Sequence, residues 1–163
     1  MRIIGVDPGT NITGYGILDF EKPNKFKAID FGTIKLSPKS EFNDKLTQIH
    51  IQLTALLEEF KPDAFVIEES FYGVNPKTII KLGHARGVSI LAAKLKNIPV
   101  FEYSPKEIKL AVVGNGGASK QQVQFMVRVL LKLTINLKED EADALGAAIC
   151  YTNKIKFEKN KRR

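Results

Sequence analysis

The sequence predicts an α/β domain, and three observations carry that prediction. Two apolar runs rich in β-branched and aromatic residues, 3–6 and 64–67, each deliver a carboxylate at their end, Asp7 and Glu68. The first run and two further short β-type segments, joined by tight turns, give way to a long stretch with apolar residues at helical spacing. Beyond the second run, helix, strand and helix signals alternate, each helix opened by a capping residue.

Residues 2–7, roughly 13–19 and roughly 26–35 read as the first three strands, separated by Pro8-Gly9 and Lys22-Pro23-Asn24. Connections this short cannot hold a crossover helix, so the three strands form an antiparallel meander. Gly14 and Gly16 weaken the second strand, which implies that another backbone approaches it closely. Phe42, Leu46, Ile49, Leu53, Leu56 and Phe60 recur at helical spacing until Lys61-Pro62-Asp63 stops the run. The segment 64–69 then resembles a buried parallel strand following a crossover helix.

After the loop 70–74, Asn75 can cap and Pro76 can occupy the first turn of a helix running to about residue 96. Its middle, Gly83-His84-Ala85-Arg86-Gly87, is rich in small residues. Glycine costs about 1 kcal/mol per helical site, so a second helix, from the same chain or another, is expected to lie close there. Residues 99–103 form a fifth strand. Ser104-Pro105-Lys106-Glu107 and Ser119-Lys120-Gln121-Gln122 both stand in capping-box register, and the helix after the latter turns Val123, Met126, Val127 and Leu130 inward. A last helix opens near Lys138 and carries Asp140 and Asp143 on one face.

With 163 residues, 44% of them hydrophobic, the chain is expected to form one domain, 1–153, followed by a basic, mobile tail, 154–163. The one cysteine, Cys150, lies in an Ala-rich apolar segment and reads as a small core residue of a protein kept in a reducing compartment. No secretory leader pattern and no run of 18 apolar residues occurs, so a cytoplasmic protein with no membrane association is expected. The net charge of +7 is unevenly spread: residues 1–70 carry 8 basic and 11 acidic groups, and residues 71–138 carry 11 and 2. Residues 139–153 are purely acidic and the tail basic again. Lysine-rich chains often carry solvated basic faces, yet an imbalance this large over the middle of the chain points to a polyanion, nucleic acid above all.

An Asp ending an apolar strand either starts a turn or serves a cation. Asp140 and Asp143 likewise fit ordinary acid placement in a first helical turn. Taken together, though, Asp7, Glu68, Asp140 and Asp143 are four carboxylates at element ends or on one helix face. Hard divalent cations such as Mg²⁺ take oxygen ligands of this kind without His or Cys. A pair of such ions activates water and stabilises the leaving oxygen of a phosphodiester.

Ile4-Gly5-Val6-Asp7-Pro8-Gly9, Val66-Ile67-Glu68, Lys81-Leu82-Gly83-His84-Ala85-Arg86-Gly87-Val88, Val100-Phe101-Glu102-Tyr103 and Asp140-Glu141-Ala142-Asp143-Ala144-Leu145 resemble the RuvC family of bacterial crossover junction endodeoxyribonucleases. Each motif alone is weak; their order, spacing and coverage of nearly the whole chain are specific. The resemblance implies an RNase H-like mixed five-stranded sheet, with an antiparallel meander, parallel strands and helices on both faces. It implies a homodimer that nicks four-way (Holliday) junction DNA symmetrically in recombination and repair, leaves ligatable ends and works with the RuvA and RuvB branch-migration proteins. It implies Mg²⁺, two per subunit with Mn²⁺ as a substitute, held by Asp7, Glu68, Asp140 and Asp143. Some family members place His at the third acid, which makes Asp140 the most replaceable. Adjacent strand residues point to opposite faces, and the family register selects Glu68 over Glu69. Phe71 matches an aromatic that the family inserts at the junction, Lys109 and Lys120 match DNA-facing lysines, and Lys106 is a further DNA-binding candidate with no motif of its own.

Two other readings compete. The actin-like sugar kinases and ATPases also carry a Gly-x-Asp-x-Gly-Thr loop after a strand, but they need two such domains around a nucleotide, and this length provides one. A non-catalytic nucleic-acid-binding module explains the basic block but leaves four placed acids idle beside a phosphate path.

Overall fold

The computed structural model describes residues 1–22, 25–69 and 75–161, with side chains described through residue 155. One mixed sheet of five strands organises the chain: β1 (Arg2–Asp7), β2 (Ile12–Lys22), β3 (Lys25–Lys35), β4 (Ala64–Glu68) and β5 (Val100–Tyr103), in the order β3-β2-β1-β4-β5. β1, β2 and β3 pair antiparallel, because a four-residue turn and a tight hairpin allow nothing else. β4 and β5 return through helices and pair parallel to β1 and to each other. β2 is longer than the sequence implied, since it continues into the polar residues Glu21 and Lys22 on the hairpin.

The period-two alternation of the strands divides the interior into two cores. Ile3, Leu18, Ala64 and Val66 face α3 (Pro105–Val113), α4 (Lys120–Leu131) and α5 (Glu139–Lys161). Their strand neighbours Ile4, Val6, Ile17, Phe65 and Ile67 face α1 (Phe42–Phe60) and α2 (Pro76–Leu95). Both capping boxes form, at Ser104 with Glu107 and at Ser119 with Gln122, and Asn75 accepts the Lys77 amide at 2.9 Å. On α4, Val123, Val127 and Leu131 are buried, while Met126 and Leu130 pack at the margin of the core.

α5 lies directly on β1 and β2, and three glycines make that possible. Gly5 and Gly16 are partners across the two strands, and Asp7 pairs with Gly14. A Cβ on Gly5 would collide with the Ala144 backbone, one on Gly14 with the Asp140 backbone, and one on Gly16 with the Leu145 side chain. The helix answers with small residues, Ala144, Ala147 and Ala148, all fully buried. The close approach implied by Gly14 and Gly16 is therefore real, and its agent is α5.

The last helix continues past residue 154 to Lys161. Of the two neighbours expected beside Gly83 and Gly87, this chain supplies none among the described residues: a Cβ at either would find nothing within 4 Å. α2 buries Ala85, Ser89, Ala92 and Ala93 against α1 and the sheet, so its glycines fall on the opposite, outer side. No helix among the described residues is long and apolar enough to cross a membrane.

Candidate active site

The C-terminal ends of β1 and β4 and the N-terminal turns of α3, α4 and α5 border one cleft of about 370 Å³. Asp7, Glu68, Asp140 and Asp143 line it together with Glu139, Lys109 and Lys120, and Pro105, Ile108 and Val123 supply apolar walls. Strand pleating brings the first two acids to the same side. Asp7 continues the α5-facing row Ile3-Gly5, and Glu68 continues Ala64-Val66 on the neighbouring parallel strand. Glu69 belongs to the other row. The pleat thus makes the same choice as the family register.

The other two acids arrive because α5 sits so low on the sheet. Asp140 lies directly over Gly14, the strand partner of Asp7, and Asp143 follows one turn later on the same face. Glu141 does the work that plain first-turn placement would assign: it is buried, accepts the Lys138 amide at 2.8 Å and closes the helix start. With Glu141 turned to the cap, Asp140 and Asp143 are left to the cleft.

The acids feel one another's charge. Burial holds the Asp7 carboxyl well above its ordinary range, and the charges of Glu68, Asp143 and Asp140 push it further, while Lys120 pulls it back. Asp143 is also raised, chiefly by burial; Lys120 opposes this, Asp140 adds to it and Lys109 opposes it again. A desolvated carboxylate repelled by three others is an arrangement that favours a cation. Among the described residues no group of three or more His, Cys, Asp or Glu side chains is gathered closely enough to hold a metal ion as the side chains stand. The four acids ring an open cleft, and the donor set, carboxylate oxygen throughout, fits a hard divalent ion that keeps waters.

Lys109 is half-buried in the cleft wall, and Lys120 stands exposed at its rim with its ammonium paired to Glu139. Lys106 does not line the cleft; it is exposed on the first turn of α3 and packs its stem against Gly116. Phe71 lies outside the described residues. Glu139 is the cleft residue that motif reasoning missed. Its signal was its place, one residue before Asp140 in the purely acidic block.

The family model described as crossover junction endodeoxyribonuclease RuvC matches residues 3–151. The RuvC of Alkaliphilus metalliredigens is 45% identical over 159 residues, covering 97% of this chain and 96% of its own. That of Pseudoalteromonas translucida is 47% identical over 151 residues, covering 93% and 86%. Among solved structures, T. thermophilus RuvC in complex with Holliday junction substrate superposes with a TM-score of 0.91 at 30% identity, covering 97% of this chain and 96% of that one. The yeast mitochondrial Holliday junction resolvase, at 16% identity and a TM-score of 0.67, shares the fold. A chain matched along nearly its whole length, with its acids gathered in one cleft, belongs to the RuvC family of crossover junction endodeoxyribonucleases.

Proposed function

We propose that this protein resolves four-way DNA junctions in recombination and repair, as a homodimer that hydrolyses one phosphodiester in each of two strands. The observation that carries this reading is the convergence of Asp7, Glu68, Asp140 and Asp143 in a cleft whose other charged walls are Lys109, Lys120 and Glu139. Acids alone would repel a DNA strand. Acids that hold divalent cations, beside lysines, accept one.

Asp7, Glu68, Asp140 and Asp143 would hold Mg²⁺, two ions per subunit with Mn²⁺ able to replace them. When bound, the metal lowers the pKa of a water and stabilises the leaving oxygen. In the hydrolysis a water oxygen forms the new P–O bond and the P–O3′ bond breaks. The leaving oxygen takes a proton, and a 3′-hydroxyl and a 5′-phosphate remain that a ligase can rejoin. Lys120 and Lys109 pair with phosphates next to the cleavage point, and Lys106, further out along α3, with a more distant one. Phe71 would stack on a base at the junction centre.

The dimer reading rests on the outer side of α2. Ile80, Leu91 and Leu95 are 59%, 50% and 62% exposed there, and Gly83 and Gly87 open onto free space. An exposed apolar stripe with backbone access at its middle suits a second copy of the same helix across a two-fold axis. RuvA and RuvB are the proposed partners that deliver the junction.

The test is incubation with a synthetic four-way junction, with and without Mg²⁺, beside an ATP-turnover assay. Paired nicks at symmetric positions that require the metal support the reading. ATP turnover without nicking would transfer the site to the phosphotransferase class.

A further inference from the structure

Among the described residues Lys45 is the one buried lysine, 9% exposed, and it lies where the pattern of α1 calls for an aliphatic residue. The buried stripe of that helix runs Lys45, Ile49, Leu53, Leu57, one residue per turn. The placement is costly twice over. An ammonium loses hydration on burial, and it stands in the opening turns of a helix, whose dipole disfavours positive charge. No carboxylate among the described residues forms an ion pair with it. Its hydrogen-bond partner is a neutral amide: Lys45 Nζ donates to Asn11 Oδ1 at 2.8 Å.

Asn11 closes the turn that leads out of Asp7. That turn is fastened on its inner side by Thr13, whose hydroxyl donates to the Gly9 carbonyl at 3.1 Å and accepts the Gly9 amide at 3.3 Å. From the end of β3, the Leu36 amide donates to the Asn11 carbonyl at 2.9 Å. Lys45 supplies the remaining fastening, from the helical layer on the opposite side of the sheet from α5. A turn of four residues held at three points leaves Asp7 little freedom to swing away from Glu68 and α5.

We propose that Lys45 is a positioning residue: through Asn11 it fixes the turn 8–11 and so the direction in which Asp7 enters the cleft. The proposal rests on the reading of the acid cluster as the cation-dependent cleavage centre. Lys45→Met keeps the length and apolar stem and removes the charge; Lys45→Arg keeps a cationic donor; Asn11→Ala removes the acceptor.

The experiment measures four quantities on the full chain: Ca²⁺ affinity by calorimetry without DNA, single-turnover cleavage of a four-way junction in Mg²⁺, junction affinity in EDTA with its salt dependence, and melting temperature. Lys45→Met and Asn11→Ala are each expected to lower Ca²⁺ affinity and cleavage rate together by on the order of tenfold, the scale at which groups that orient a metal ligand act. Junction affinity in EDTA stays within about twofold, the double variant is no worse than either single one, and Lys45→Arg recovers most of the loss. If Lys45→Met fails to fold, Lys45→Arg and Asn11→Ala carry the comparison. Unchanged Ca²⁺ affinity and rate in folded variants would overturn the proposal, as would additive losses in the double variant. A junction affinity that falls with a salt slope shallower by about one would also overturn it, because Lys45 would then contact phosphate itself. A parent that binds Ca²⁺ but cuts no junction would refute the functional reading, while the Ca²⁺ measurements still decide the role of Lys45.

Discussion

The two faces of the sheet use the same strands and treat small residues in opposite ways. On the α5 face, Gly5, Gly14 and Gly16 are filled by a helix of the same chain, which packs so close that two of its acids line one cleft with the carboxylates at the strand ends. On the α1/α2 face the strands present Ile4, Val6, Phe65 and Ile67 to ordinary side-chain packing, and the helical glycines Gly83 and Gly87 lie on the outer side, untouched. Small residues let backbone come close on the first face, where α5 takes up the space; on the second, Gly83 and Gly87 leave the space open, and the proposed second copy would fill it.

The largest effect that separates the faces concerns two adjacent residues. Glu68→Gln is expected to lower junction cleavage by roughly 10³-fold, about 4 kcal/mol of transition-state stabilisation, whereas Glu69→Gln on the opposite pleat stays within a few-fold of the parent. Single-turnover cleavage in Mg²⁺ measures both. Equal losses would mean that the pleat does not decide which acid works.

Gly5→Ala breaks the contact on the α5 face. The added Cβ meets backbone at Ala144, which cannot rotate away, so α5 must lift; about 3 kcal/mol of stability is expected to go, at the upper end of overpacking penalties. Cleavage falls further than stability alone explains, because Asp140 and Asp143 move with the helix. Gly16→Ala meets the Leu145 side chain at Cγ and Cδ2, both 2.5 Å away, with the Leu145 Cα at 3.1 Å, and should cost less because most of that contact is side chain rather than backbone. Denaturant unfolding of both variants checks the order.

At the DNA surface the effects are smaller. Lys109→Ala and Lys120→Ala are each expected to make the salt slope of junction binding shallower by about one, and Phe71→Ala to weaken binding by ~1–3 kcal/mol with a matching loss of cleavage. Lys106→Ala, outside the cleft, should change the slope without changing the rate of the bound complex. The smallest change is Gly83→Leu on the outer face of α2, which should weaken dimerisation about tenfold in sedimentation while leaving the melting of the subunit nearly unaltered, since among the described residues a Cβ there meets nothing within 4 Å beyond its own helix.

Much of this fold was legible because local chemistry and tertiary structure agree. Ser104, Ser119 and Asn75 cap where their spacing says they should, and Lys61-Pro62-Asp63 ends α1 with Lys61 in the left-handed region at φ 48°. The acids were legible as interruptions of apolar strands. What stayed hidden depends on contacts between distant segments. Gly5 reads as a weak strand residue until α5 is seen lying on it. Lys45 shares helical spacing with Ile49 and Leu53, but its residue type gave no sign of burial, and its partner Asn11 is distant in sequence. Glu139 could not be told from its acidic neighbours by pattern, since its place in the cleft follows from how deeply α5 is seated.

The central claim is that four mutually repelling carboxylates form a cation site used for hydrolysis, and Asp7→Asn tests it most directly. A carboxyl raised by its folded surroundings contributes stability only below its ordinary value of 3.8, and that contribution is lost as pH rises through the raised value. Without divalent ions, Asp7→Asn should therefore melt higher than the parent at pH 7, and the gap should narrow as pH falls toward 3.8. The decisive measurement sets junction affinity in EDTA beside cleavage in Mg²⁺ for this variant and the parent. Affinity equal to or above the parent's with cleavage abolished is the predicted result; retained cleavage, or cleavage lost only in proportion to lost binding, would contradict the account.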